Sequence, residues 1–287
     1  MDCICCHSLK TKPYFVNSVE YCLCENCGCL FLRHDIPGES PHSLCDHYSH
    51  DDPHEEVSQS KTSFYNMVLD YLSSVFNREP KKILDVGCGH GYFLDMASQN
   101  GWQPTGIEVV EDAVKSAQVN LGVDNILQGK LKDNCLSGST FDAITLWDVL
   151  AIVDEPYGEI KECLRLLKKG GVIGIRTRNV WFQKMVYRLF IPFRSFAPKL
   201  DLKEPYVFNK YCFSAKSLHA LLSRLGFINI KILNSPLTSG DPYNHMRFNY
   251  PVKLMKRSLD FSSKFLFQLT RGRWLIAPSL LVWAQKP

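Results

Sequence analysis

Gly87, Gly89 and Gly91 recur at every second position behind the apolar run Ile83, Leu84 and Val86, which encloses Asp85. A buried parallel strand ending in a turn reads this way. Glycine suits that turn because it tolerates positive φ and lets a ligand lie against the backbone. The helix expected next, Tyr92 to Asn100, offers its N-terminal N–H groups and positive dipole end to an anionic part of that ligand. Glu108 closes a second strand-like run that begins at Gln103, where a carboxylate can accept hydrogen bonds from both hydroxyls of a ribose. The chemistry is that of holding a nucleotide-like ligand. A dinucleotide fingerprint G-x-G-x-x-G would place its third glycine at position 92, which is Tyr92, so the spacing argues against a nicotinamide cofactor.

A second group lies at the start of the chain. Eight of the twelve cysteines fall in the first 45 residues, and four form Cys3-x2-Cys6 and Cys24-x2-Cys27. That spacing fits a zinc ribbon, in which two tight turns each present two thiolates to one tetrahedral, structural zinc. So short a segment cannot build a stable core without such help. Gly28 suits a knuckle turn, with Val19 to Leu23 and Leu30 to Leu32 as flanking strands. Cys5, Cys22 and Cys29 interleave with the four and could replace one of them. Cys45, His47, His50 and His54 could ligate a further metal, but their setting reads as a solvated polar loop.

The elements that position these groups follow from composition and periodicity. A 45% hydrophobic, 22% charged chain with no apolar run long enough to cross a bilayer reads as globular and cytoplasmic, and its start lacks the pattern of a signal peptide. In that compartment the cysteines read as thiols or metal ligands, not disulfides. A net charge of +4 is too small to indicate a nucleic-acid partner, and none is expected. Residues 1–33 form the ribbon-like segment and 34–60 a linker. From Lys61 to Phe76, the residues Phe64, Met67, Val68, Tyr71, Leu72, Val75 and Phe76 have helical spacing. Strands and helices then alternate: a helix from Glu111 to Leu121, strands at Asn125 to Leu127 and Phe141 to Leu146, and a helix from Tyr157 to Lys168. After a Lys169-Gly170-Gly171 turn come a strand from Val172 to Arg176, a helix from Lys216 to Leu225 capped by Gly226, and strands at Phe227 to Leu233 and Ser279 to Gln285.

The combination of Asp85, Gly87, Gly89 and Gly91 with Gly106, Ile107 and Glu108 resembles class I S-adenosylmethionine-dependent methyltransferases, in particular the subgroup with an N-terminal zinc-binding segment. The resemblance implies S-adenosyl-L-methionine as cofactor. It also implies a doubly wound, seven-stranded, mostly parallel α/β sheet over residues 61–287, with inserts at about 180–208 and 238–275. Trp147, expected at the carboxyl end of its strand, would wall the cofactor cleft. Lys130 stands where many relatives carry an acidic residue for the adenine amine. Relatives commonly continue Trp-Asp-Val-Leu with Glu-His-Val, where this chain has Ala151, Ile152 and Val153. In sugar C-methyltransferases with a similar zinc segment a His-Glu-His group precedes the Phe-Ser pair. Here Val207, Phe208 and Asn209 precede Phe213-Ser214, which lowers the sugar reading.

With those polar groups replaced, no residue announces itself as a general base; Asp148, Tyr206, Tyr211 and His245 are the candidates. The acceptor implied is a small molecule, with O-, N- and C-methylation all open. From the end of the Val172 to Arg176 strand into the first insert the chain carries Arg176, Arg178, Lys184, Arg188, Arg194 and Lys199 among large aromatics, with no acidic residue from Cys163 to Leu200. Lys184 and Arg188 would share one helical face, suiting a lid over an anionic or amphipathic acceptor, or peripheral contact with the inner face of a membrane. Rival readings are a cofactor-binding relative without turnover and an RNA methyltransferase.

Overall fold

Seven segments rich in β-branched and apolar residues pair into one sheet. The computed structural model describes residues 2–32, 54–76, 81–122, 125–193, 206–238, 267, 269–270 and 274–287. Helix α1 (His54–Val75) leads into β4 (Lys82–Val86), α2 (Tyr92–Gln99), β5 (Gln103–Glu108), α3 (Glu111–Leu121), β6 (Ile126–Gln128) and β7 (Phe141–Trp147). Then come α4 (Pro156–Leu166), β8 (Leu167–Arg178), α5 (Val180–Phe190), β9 (Tyr211–Cys212), α6 (Ala215–Leu225), β10 (Ile228–Asn234) and β11 (Ser279–Gln285). The order across the sheet is β10-β11-β8-β7-β4-β5-β6, and the pairs β4–β5, β4–β7, β5–β6 and β7–β8 are parallel. Every residue of β7 is buried, as expected of a central strand covered on both faces. This is the doubly wound architecture read from the sequence.

Two expectations are revised. The first helix begins at His54, so the last residues assigned to the linker are helical. Its buried stripe is Phe64, Tyr65, Val68, Leu69 and Leu72, while Met67 and Val75 are exposed. The Lys169-Gly170-Gly171 turn lies inside the longer strand β8. There Gly170, with φ of 76°, absorbs a register shift against β7. Backbone bonds from Gly170 to Lys286 and from Lys286 to Gly171 hold that irregularity in place.

The chain divides into two compact units, one comprising Met1–Lys61, Arg178–Ala220 and Ile232–Leu280, the other Thr62–Thr177, Leu221–Lys231 and Leu281–Pro287. In the first, β1 (Thr11–Val16), β2 (Val19–Cys24), β3 (Leu30–Leu32) and β9 form an antiparallel four-stranded sheet. Its core joins Val16, Tyr21, Leu23 and Leu30 to Val180 and Tyr187 of α5, with Tyr206 and Cys212. The hairpin tip is tied down as well: the Asn17 N–H donates to the Tyr187 hydroxyl at 2.9 Å, and the Tyr206 hydroxyl to Asn17 Oδ1 at 3.3 Å. The basic face of α5 packs on the same sheet. Lys184 Nζ lies 5.0 Å from the Tyr14 ring centroid, and Arg188 hydrogen-bonds the same tyrosine. Most of the second insert, 238–275, and His245 lie outside the described residues.

Candidate cofactor site and cysteine centre

The glycine loop follows the carboxyl end of β4 and is tethered to β5. The N–H groups of Gly87 and Cys88 both donate to the Ile107 carbonyl, at 2.8 and 3.1 Å. Gly89 N–H donates to Glu108 Oε2 at 2.9 Å, while Val109 and Val110 N–H donate to Oε1 at 2.8 and 3.0 Å. The carboxylate that sequence spacing assigns to a ribose thus also fixes the loop: Oε1 already accepts two N–H groups, while Oε2 accepts one and keeps a lone pair for a further donor. Asp85 is buried inside the strand and accepts from Thr145 Oγ1 at 2.6 Å. Burial, then the negative charges of Asp85 and Glu108, push the Cys88 thiol well above its ordinary range, so it stays protonated.

The three glycines have different surroundings. All have positive φ, at 72°, 55° and 80° for Gly87, Gly89 and Gly91. A Cβ at Gly87 would lie 2.4 Å from Val149 Cγ2, and one at Gly91 2.9 Å from Leu121 Cδ1. Gly89 has nothing within 4 Å of that position. The loop therefore packs against protein at its ends and is open at its centre, where a ligand can approach the backbone. Gly91 caps α2 without a side-chain bond, leaving the first-turn N–H groups to serve an anionic partner.

Trp147 ends β7 with its ring inside an aromatic cluster, 5.1 Å from Phe64 and 5.4 Å from Phe93 between centroids, in edge-on geometry. The ring is 6% exposed among these neighbours. Asp148 follows in the left-handed region, with φ of 65°, and pairs with Arg176, which is 2% exposed. Arg176 also lies over the Phe64 ring, 5.6 Å from its centroid. Sequence reasoning missed this pair and Thr145; the signal was a polar residue inside an otherwise apolar strand end. Lys130 pairs with Asp154 at 2.6 Å on the surface.

Residues 61–232 match the methyltransferase domain family. The chain belongs to that family. It is 32% identical over 117 residues to a ubiquinone biosynthesis O-methyltransferase of Xanthomonas oryzae pv. oryzae (strain PXO99A), covering 39% of this chain and 48% of the relative. The chain thus spans about half the length of such curated relatives. Among solved structures, geranyl diphosphate C-methyltransferase from Streptomyces coelicolor A3(2), in complex with Mg2+, geranyl diphosphate and S-adenosyl-L-homocysteine, aligns with a TM-score of 0.53 at 13% identity. That alignment covers 83% of this chain and 86% of that one. The PH0226 protein from Pyrococcus horikoshii OT3 gives 0.52 at 15% identity, over 87% and 100%. At these identities the likeness establishes the fold alone.

The other base candidates of the methyltransferase domain belong to the first unit. Tyr206 is 6% exposed, with its ring against Tyr187, Phe190 and Phe208. Tyr211 is 1% exposed, sits in β9 opposite Phe31, and stacks on Phe213. Both are accounted for by packing.

In the same unit the sulfurs of Cys3, Cys6, Cys24 and Cys27 lie within 4.8 Å of one another. Cys3 and Cys27 are 3.4 Å apart and Cys6 and Cys24 3.6 Å, close to the separation of about 3.8 Å for two sulfurs at about 2.3 Å from a tetrahedral zinc. Hydrogen bonds from Cys27, Cys29 and Cys5 converge on Cys3 and push its pKa down. The Cys27 N–H points to Cys24 Sγ at 3.5 Å, and Gly28 takes φ of 75° to close the knuckle. Ser214 joins this knuckle to the next helix. Its hydroxyl donates to the Cys27 carbonyl at 2.5 Å and accepts from Ser217 N–H at 3.0 Å, capping α6.

Proposed function

We propose that the chain is an S-adenosylmethionine-dependent methyltransferase acting on a small-molecule acceptor that is anionic or amphipathic. The observation that carries this is the conjunction at the ends of β4 and β5: an open backbone at Gly89 and, bonded to it, the two-oxygen acceptor Glu108. These residues fit the cofactor. Glu108 would receive the ribose hydroxyls, Gly87 to Gly91 would lie under the amino-acid portion, and the first turn of α2 would face its carboxylate. When bound, S-adenosylmethionine supplies an electrophilic methyl group on a sulfonium.

What the chain itself must do is align the acceptor in line with that methyl and exclude water. A phenolate or carboxylate acceptor needs no base, which agrees with Asp148 being engaged by Arg176 and with the tyrosines being packed. The relatives' names, a ubiquinone biosynthesis O-methyltransferase and a geranyl diphosphate C-methyltransferase, support an amphipathic or anionic small molecule. The ribbon would hold one structural zinc through Cys3, Cys6, Cys24 and Cys27, closing its sheet without offering a catalytic position.

Peripheral membrane contact would rest on α5, whose outer side exposes Trp181 and Leu189 next to Arg188. Among the described residues no helix is long and apolar enough to cross a membrane. The decisive experiment incubates the protein with methyl-labelled cofactor and cell extract, then separates lipid, small-molecule and RNA fractions. Label in the first two is expected. Label in RNA alone, or cofactor binding with no labelled product, would overturn the proposal.

A further inference from the structure

Cys5 and Cys29 are not needed by the ribbon's first metal, yet their thiols lie against each other. Both are 0% exposed, and their sulfurs are 3.7 Å apart. With Cys3 they form a second group whose three sulfurs all lie within 4.8 Å of one another. Apolar packing alone gives no reason for thiols to converge, since a buried cysteine behaves as a small hydrophobe free to face any apolar neighbour. The Cys5–Cys29 separation matches those in the first group: 3.7 Å against 3.4 and 3.6 Å there, and about 3.8 Å for two thiolates on one zinc.

We propose that Cys3, Cys5 and Cys29 bind a second zinc ion, with the Cys3 sulfur bridging it to the zinc held by Cys3, Cys6, Cys24 and Cys27. The inference rests on the zinc reading above and extends it from one ion to two. Binding the second ion deprotonates two thiols, Cys5 and Cys29, and releases two protons to solvent. One dication and two new thiolates add no net charge to a buried site. A monovalent soft ion such as copper(I) would leave one uncompensated negative charge there, so zinc is the ion assigned. The chain topology suits a bridged pair. Cys3, Cys5 and Cys6 come from one turn and Cys24, Cys27 and Cys29 from the other, so each turn serves both ions and the pair clamps the two turns together.

The test uses the full chain, purified under reducing conditions, saturated with zinc and freed of excess by gel filtration. Elemental analysis should give two zinc ions per chain. Cys5→Ser with Cys29→Ser should give one, and Cys24→Ser should also lose metal. One zinc in both the wild type and the Cys5/Cys29 variant would overturn the second site and leave the first reading standing. Two zinc ions retained in that variant would overturn the ligand assignment. No zinc in the wild type would overturn both readings. Since the double variant could fail to fold, cadmium-113 exchanged into the wild type gives an independent answer. Two resonances in the thiolate region, coupled through the shared Cys3, are expected; a single resonance overturns the proposal.

Discussion

Replacing Glu108 by alanine tests the cofactor reading most directly. The carboxylate is 8% exposed and already accepts from Gly89, Val109 and Val110. A hydrogen bond to a charged group contributes about 1.5–3 kcal/mol net. Two ribose hydroxyls share one carboxylate whose charge is partly committed to three amides, so their joint loss should fall below twice that figure, at about 2–4 kcal/mol. The expected rise in Kd for S-adenosylmethionine and S-adenosylhomocysteine is then about 30- to 900-fold. Glu108→Gln keeps one carbonyl acceptor and should lose less. Isothermal titration calorimetry reads both variants, and far-ultraviolet circular dichroism checks that the Gly89 tether has not cost the fold. If folded Glu108→Ala binds both ligands as tightly as the wild type, the carboxylate does not hold the ribose and the reasoning fails.

Five further outcomes follow from the structure. Gly87→Ala meets Val149 in a left-handed conformation and should lower stability by roughly 2–4 kcal/mol. Gly89→Ala meets open space and should cost about 1–2 kcal/mol in stability while weakening cofactor binding; thermal melts with and without ligand distinguish them. Thr145→Val removes one buried donor from Asp85 and should destabilise by about 1–3 kcal/mol in urea unfolding. Glu159 is raised from its ordinary 4.5 to about 7, first by burial and then by Asp154 and Glu162. The folded state therefore prefers the neutral acid, and that contribution is complete below about pH 4.5 and lost as pH rises through about 7. Glu159→Gln should match the wild type near pH 4 and exceed it at pH 8 by on the order of 1–3 kcal/mol in denaturant titration. Lys184→Glu with Arg188→Glu should lower the melting temperature, because both cations lie on Tyr14 of the ribbon sheet. If the pair serves only a membrane surface, the melt stays unchanged and sedimentation with anionic vesicles is lost instead.

What could be read in the residues alone was whatever a single turn encloses. The glycine loop, the two C-x2-C knuckles and Glu108 at the end of its strand each depend on neighbours a few positions apart, and their spacing survives in one dimension. So does the period of the buried strands, which is why β7 and the helices around it stand nearly where expected. The structure alone decided which distant residues meet. Tyr211 lies in a strand paired with β3, some 180 positions earlier, and Tyr187 and Tyr206 bind Asn17 at the hairpin tip. Tyr187 and Tyr206 thereby join the core of the ribbon sheet and Tyr211 is buried on its edge strand, meetings that only the topology makes. The same holds for Arg176 against Asp148, and for Cys5 against Cys29. Such pairs leave no periodic mark, because the topology that brings them together is set by the burial of whole faces and not by any one residue's neighbours along the chain.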